Sequence, residues 1–361
     1  MSRLDASVAA ILALGPLDEA AMAAARAHLD RLTKPKGSLG RLEELVEQLA
    51  GIAGEPAPAV DHPALVIAAA DHGVARRGVS AYPPEVTAQI VANFLAGGAA
   101  INVLAGAVGA DVVVLDVGVA GEVASPEPTA GTTRLIRRRV RDGTADMTEG
   151  PAMARDEALA AIDAGLDVAA ELTGAGVRLL GIGEMGIGNT TAASALLAAF
   201  TGRPAQEITG RGTGIDDAAL ARKVAAIDKA LQVNPPSDKS ALQILAALGG
   251  FEIAGLAGVV LGAAARRIPV VLDGFIASTA ALGAARLAPR ARDYVLASHK
   301  SVEIGHTLVL QELGCTPLFD LDMRLGEGTG AALAMPMVDA ALHLLHDMAT
   351  FDEAHVTDTG K

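Results

Sequence analysis

Tryptophan is absent from this chain, and aromatic residues make up only 2% of its 361 positions. A core of ordinary density must then be assembled from alanine, leucine and valine packed closely. Cysteine is nearly absent as well. Cys315 stands alone, which excludes an intrachain disulfide and a cysteine-cluster zinc site, and it reads as a small buried hydrophobe. Positive charge is in deficit: the formal net charge of −13 argues against nucleic acid or an anionic membrane as a partner. The most apolar segment, 253–265, runs for about 13 residues, too few to span a bilayer. The N-terminus lacks a basic-then-apolar leader, so the expectation is a soluble, cytoplasmic protein.

Glycine and small apolar residues are abundant instead. Forty glycines fall between apolar runs in a chain that is 51% hydrophobic, a pattern of tight turns rather than disorder. Residues 4–53 read as two or more helices, the later one opening at Ser38, a possible cap, before the amphipathic RLEELVEQLAGI. The Pro-rich stretch 54–63 is the natural boundary. Beyond it, short apolar runs at 64–70, 112–115, 177–180, 270–272 and 294–297 alternate with helical stretches at 84–106, 155–173, 189–201, 216–232, 239–248 and 251–267. Further helices are read over 301–313 and 329–349. Such alternation is the signature of parallel βαβ units. The basic run 135–141 reads as an edge strand.

Each apolar run ends in polar residues: Asp71-His72, Asp116, Glu184, Asp273-Gly274 and Ser298-His299. Ligands of open parallel sheets sit beyond the carboxyl ends of the strands, so these groups are expected to converge on one crevice. The third end carries Gly181-Ile182-Gly183-Glu184-Met185-Gly186, read as a glycine loop before a helix capped by Asn189 or Thr190. This spells the dinucleotide fingerprint, yet it lies mid-chain and holds a carboxylate that would repel a pyrophosphate. Glu327, between Gly326 and Gly328, is a candidate general base, because the glycines let a ligand approach without a Cβ in the way. Glu184 is a second carboxylate for the same site. Lys223 follows a second glycine loop, 210–214, and is either a solvated helix residue or a phosphate contact. Ser80, Tyr82 and Gln89 suit the rim of a pocket for a flat heterocycle. No HExxH or GxSxG is present, and Asp273 lacks the paired acid of a magnesium–pyrophosphate grip.

The segments TKPKGSLGRLE, ADHGVARRGVSAYPPEVTAQIV, GEMGIGNTTAASAL, GRGTGIDD, LGGFEIAGLAG, VVLDGFIAST, SHKSVEIGH and RLGEGTGAALAMP together resemble the nicotinate-nucleotide:dimethylbenzimidazole phosphoribosyltransferase family over about residues 33–350. That resemblance implies a Rossmann-like parallel α/β sheet flanked by helices, with a smaller helical domain from the terminal segments: 1–60 and 331–361 around a core of 61–330. It implies a homodimer needing no metal or organic cofactor, with nicotinate mononucleotide and dimethylbenzimidazole as substrates. The phosphoribosyl group would be transferred with inversion, giving α-ribazole phosphate and nicotinate. By the same resemblance Glu327 is the catalytic base and Glu184 assists. Gly186, Gly212, Lys223, Asp273, Gly274 and Ser301 surround phosphate and ribose, and Ser80 and Gln89 line the benzimidazole pocket. Two other readings are a nucleotide-binding regulator of the same fold, without turnover, and an NAD-dependent oxidoreductase using the glycine fingerprint.

Overall fold

The computed structural model describes residues 2–123 and 133–357. Six strands form one parallel sheet: β1 Ala64–Ala70, β2 Asp111–Gly118, β3 Thr133–Arg137, β4 Leu180–Met185, β5 Val270–Leu272 and β6 Val295–Ala297. Their order is β3-β2-β1-β4-β5-β6, so the winding reverses between β1 and β4, and a crevice opens there at the carboxyl ends. Apolar residues alternate faces, as the period of two requires. Val66 and Ala68 of β1 join one hydrophobic cluster, Leu65 and Ile67 the other.

The shortage of aromatics shapes the packing. The helix Phe251–Ala264 is buried along its whole length and lies against Arg155–Gly174. A Cβ at Gly165 would overlap the Gly255 backbone, and one at Gly258 would overlap Ile162, so the two helices touch backbone to backbone. Small residues fill the core by bringing main chains together rather than by inserting large side chains.

Helices from the chain ends pack on the other face. Leu29 of Glu19–Leu29 and Leu45 and Leu49 of Arg41–Ala53 meet Leu342 and Leu345 of Thr329–Asp347, in the cluster that continues to β1. An antiparallel bridge, Leu32 to Thr350, ties the two terminal segments.

Five local expectations need correction. The run 181–185 is strand, not loop: β4 extends to Met185, and only Gly186 lies beyond it. Gly181 and Gly183 are there because a Cβ would strike Leu65 and the Gly328 backbone respectively, not because the chain turns. The stretch 84–106 divides into Val86–Leu95 and Ala100–Ala107, broken at Gly97-Gly98, where Gly97 has φ +77. By length and composition the 22 residues Val86–Ala107, rather than 253–265, form the apolar stretch long enough to cross a bilayer; here Val91, Phe94 and Ile101 pack on the sheet. Ser38 does not cap its helix, whose first position follows Gly40. The basic run does form an edge strand, but it ends at Arg137, and the arginines beyond it pair with carboxylates: Arg139 with Asp116 at 3.1 Å and Arg141 with Glu157 at 2.7 Å.

Candidate active site

The predicted crevice is a cavity of about 660 Å³ beyond the carboxyl ends of β4, β5 and β6. Three helices begin beside it, at Asn189, Phe275 and Thr329, each preceded by a glycine and none with a side-chain cap. Their N-terminal N–H groups and dipoles favour negative charge in the cavity. Asn189 is not the cap expected of it. Its amide instead donates to Glu184, which β4 carries into the same wall.

Glu327 sits in an unusual backbone. Its φ is +62°, between Gly326 and Gly328 at +84° each, so three consecutive residues are left-handed. For a residue with a Cβ that conformation costs roughly 1–3 kcal/mol and persists only where surroundings impose it. Asp273 imposes it here: Oδ2 accepts from the Gly328 N–H at 2.9 Å and Oδ1 from Gly330 at 2.8 Å. The glycines are demanded by crowding, since a Cβ at Gly326 would meet Glu184 Oε1 at 2.5 Å. Asp273 was expected against phosphate or ribose; both its oxygens are instead engaged with the loop that carries Glu327.

Three carboxylates thus share a desolvated corner. Burial, reinforced by Asp273, raises Glu184 to about 8 and Glu327 to about 7. Behind them His72 Nε2 donates to the Glu252 carboxylate at 2.7 Å. Burial presses that imidazole down, but the Glu252 carboxylate outweighs it and leaves its pKa above the usual value. A carboxyl near 7 is poised to take a proton at neutral pH.

The other end of the cavity holds a buried cation. Gly212 and Ser301 line it, and Lys223 lies beneath, 0% exposed, donating to Thr190 Oγ1 at 2.8 Å and to the Gly210 carbonyl at 3.1 Å. Burial lowers Lys223 to about 8, against the pull of Glu303. Ser301 is oriented by His306, whose Nδ1 accepts the Ser301 N–H at 2.9 Å while Nε2 meets Ser278 Oγ at 3.0 Å. Burial holds His306 near 3, so it is neutral and can accept.

An apolar wall of Tyr82, Val86, Ile90, Met185 and Leu325 faces these groups and suits a flat heterocycle. Of the residues anticipated from sequence, Glu184, Gly186, Gly212, Gly274, Ser301 and Glu327 line the cavity, and Lys223 and Asp273 lie directly behind the lining. Ser80 stands one step back, its Oγ 3.4 Å from Thr213 Oγ1, and Gln89 is solvent-exposed outside the lining. Sequence reading gave no site role to Glu303, Arg324 and His306, and took Asn189 only for a cap. Glu303 accepts the Gly212 N–H at 2.8 Å; the signal was its position beside Ser301 in SHKSVEIGH. Among the described residues no group of three or more His, Cys, Asp or Glu could hold a metal ion. A dinucleotide reading loses its footing too, since two of the three fingerprint glycines lie inside β4.

Comparison with known proteins agrees with this architecture. A phosphoribosyltransferase family model matches residues 14–356. A nicotinate-nucleotide–dimethylbenzimidazole phosphoribosyltransferase from Chloroflexus aggregans is 58% identical over 346 residues, covering 96% of each chain. One of the same name from Geobacter metallireducens is 53% identical, covering 94% of this chain and 95% of its own. The crystal structure of CobT from Thermus thermophilus superposes with a TM-score of 0.88 at 48% identity, covering 94% of this chain and 99% of the other.

Proposed function

The chain belongs to the nicotinate-nucleotide–dimethylbenzimidazole phosphoribosyltransferase family, and on that premise we propose how its crevice moves a phosphoribosyl group from nicotinate mononucleotide to dimethylbenzimidazole. The phosphate lies against Gly212, Ser301 and the Lys223 end, and the benzimidazole against the apolar wall. One benzimidazole nitrogen attacks the anomeric carbon from the face opposite nicotinate. The bond to nicotinate breaks, and its electron pair neutralises the departing pyridinium, which needs no proton. Glu327 takes the proton from the other benzimidazole nitrogen. Products are nicotinate and α-ribazole phosphate, with the anomeric centre inverted.

The observation that carries this reading is Glu327, lifted to about 7 between two left-handed glycines and opposite an apolar wall. Glu184, raised to about 8, is ionised by a pyridinium beside it, and the carboxylate then steadies positive charge on the ribosyl carbon. Asp273 acts on Glu327 through the loop rather than on the substrate. Most of the rate comes from orienting two bound reactants, which can supply roughly 7–11 kcal/mol.

The same reading makes the protein a cytoplasmic homodimer, its segments 1–60 and 331–361 forming a small domain on the 61–330 core. A single unpaired, half-buried cysteine suits a reducing compartment. The apolar stretch Val86–Ala107, with Val103 67% exposed, suits a second copy. Light scattering on the purified protein tests the dimer. The reaction is tested by incubating the protein with nicotinate mononucleotide and dimethylbenzimidazole and separating products by chromatography with mass detection. Equal release of nicotinate and α-ribazole phosphate is expected; binding without product would favour a regulator of the same fold.

A further inference from the structure

We propose that Arg324 recognises the ring carboxylate of nicotinate and so selects the acid nucleotide over its amide; this rests on the transferase reading above. The nucleotide is anionic at two ends, and the Lys223 end of the cavity serves only the phosphate. The remaining charged wall is acidic: Glu184 and Glu327 line it, with Asp273 behind. A second carboxylate entering that wall unaided would be repelled at close range. Arg324 is the one permanent cation among the described residues that line the cavity. His299, the other basic side chain there, is held neutral by burial, which lowers its pKa, and its ring stacks on Phe319.

Arg324 stands on the same segment as Glu327, three residues before it, and its side chain is exposed at the cavity. Arg324 has no hydrogen-bond or ion-pair partner among the described residues. A guanidinium offers two parallel N–H donors that match a carboxylate, whereas an amide presents one acceptor, two hydrogens and no charge. Selection for the acid therefore follows from the residue type and its freedom, not from shape alone.

The test uses the full chain with dimethylbenzimidazole saturating, and compares nicotinate mononucleotide with nicotinamide mononucleotide in the wild type, Arg324→Gln and Arg324→Lys. Wild type is expected to prefer the acid. Arg324→Gln should lower kcat/KM for the acid by about 10- to 100-fold, chiefly through KM, and shrink the acid-over-amide preference by a similar factor. Arg324→Lys, which keeps the charge but not the fork, should fall between. Equal losses on both nucleotides would assign Arg324 to phosphate or to the fold and overturn the proposal, as would an unchanged preference or a wild type without one. A wild type that releases no nicotinate at all would instead overturn the transferase reading beneath it.

Discussion

At the amino ends of the strands a second cavity, of about 550 Å³, is lined by Arg178, Arg266 and Arg267. Each guanidinium there donates to a carbonyl in the last turn of a helix: Thr173 at 3.3 Å, Gly262 at 2.9 Å and Ile52 at 3.2 Å. Those carbonyls lack intrahelical partners and carry the negative ends of their helix dipoles, so the arginines are used up in finishing the fold. At the carboxyl ends the arrangement is reversed. Helix N-termini lack side-chain caps, a lysine is buried with no carboxylate among the described residues within ion-pair distance, and three carboxyl groups are desolvated together. The amino end lowers the energy of the folded chain, and the carboxyl end raises it. A cavity lined with charge is therefore a poor guide to function by itself. What distinguishes the active crevice is charge left uncompensated until a ligand arrives.

Breaking the contrast at its strongest point should have the largest effect. Glu327→Gln is expected to retain nucleotide binding and lower turnover by about 10²–10⁴-fold, the usual worth of a general base. Steady-state kinetics paired with calorimetric binding checks this, and near-normal turnover would remove Glu327 from the role. Next in size is the pH response. A base with pKa about 7 is inactive when protonated, so kcat/KM should fall with acidification, by about 100-fold at pH 5. In Glu327→Gln that limb should lose one proton's worth of slope; the same slope in both proteins would locate the titration elsewhere. Lys223→Met fills the same space without charge. It should raise KM for the nucleotide by about tenfold, as the loss of a charged hydrogen bond predicts, and an unchanged KM would leave Lys223 a brace for Thr190 and Gly210. At the opposite end, Arg178→Ala should leave kinetics within about twofold and cost about 0.5–1.5 kcal/mol in denaturant unfolding. A kinetic defect there would mean that the two ends are coupled.

The strand at 64–70 was legible because seven apolar residues between a Pro-rich break and Asp71 can do little else. Asp216 was equally plain as the start of Asp217–Val233, where its side chain accepts from Ala219. The Gly181 and Gly183 positions were misread for a definite reason. Glycine required by a turn and glycine required by a neighbouring backbone look identical in one dimension, and the neighbour here, Gly328, is distant in sequence. Asn189 misled similarly: a residue suited to capping was drawn off by Glu184, a partner on the preceding strand. Glu303 offered only its place beside Ser301, since its significance lies in the Gly212 N–H it faces.

The sequence by itself determined the parallel α/β class, the polar strand ends and the identity of the two glutamates, because hydrophobic period and glycine spacing are local properties. Its poverty in aromatics also required close backbone packing. Only the tertiary structure decided that Asp273 would hold the Glu327 loop instead of facing a ligand, and that Glu184 and Glu327 would be lifted to about 8 and about 7. A pKa depends on what excludes water and which charges stand nearby. Those neighbours come from β4, β5 and the start of the last long helix, and they meet only when the sheet is assembled.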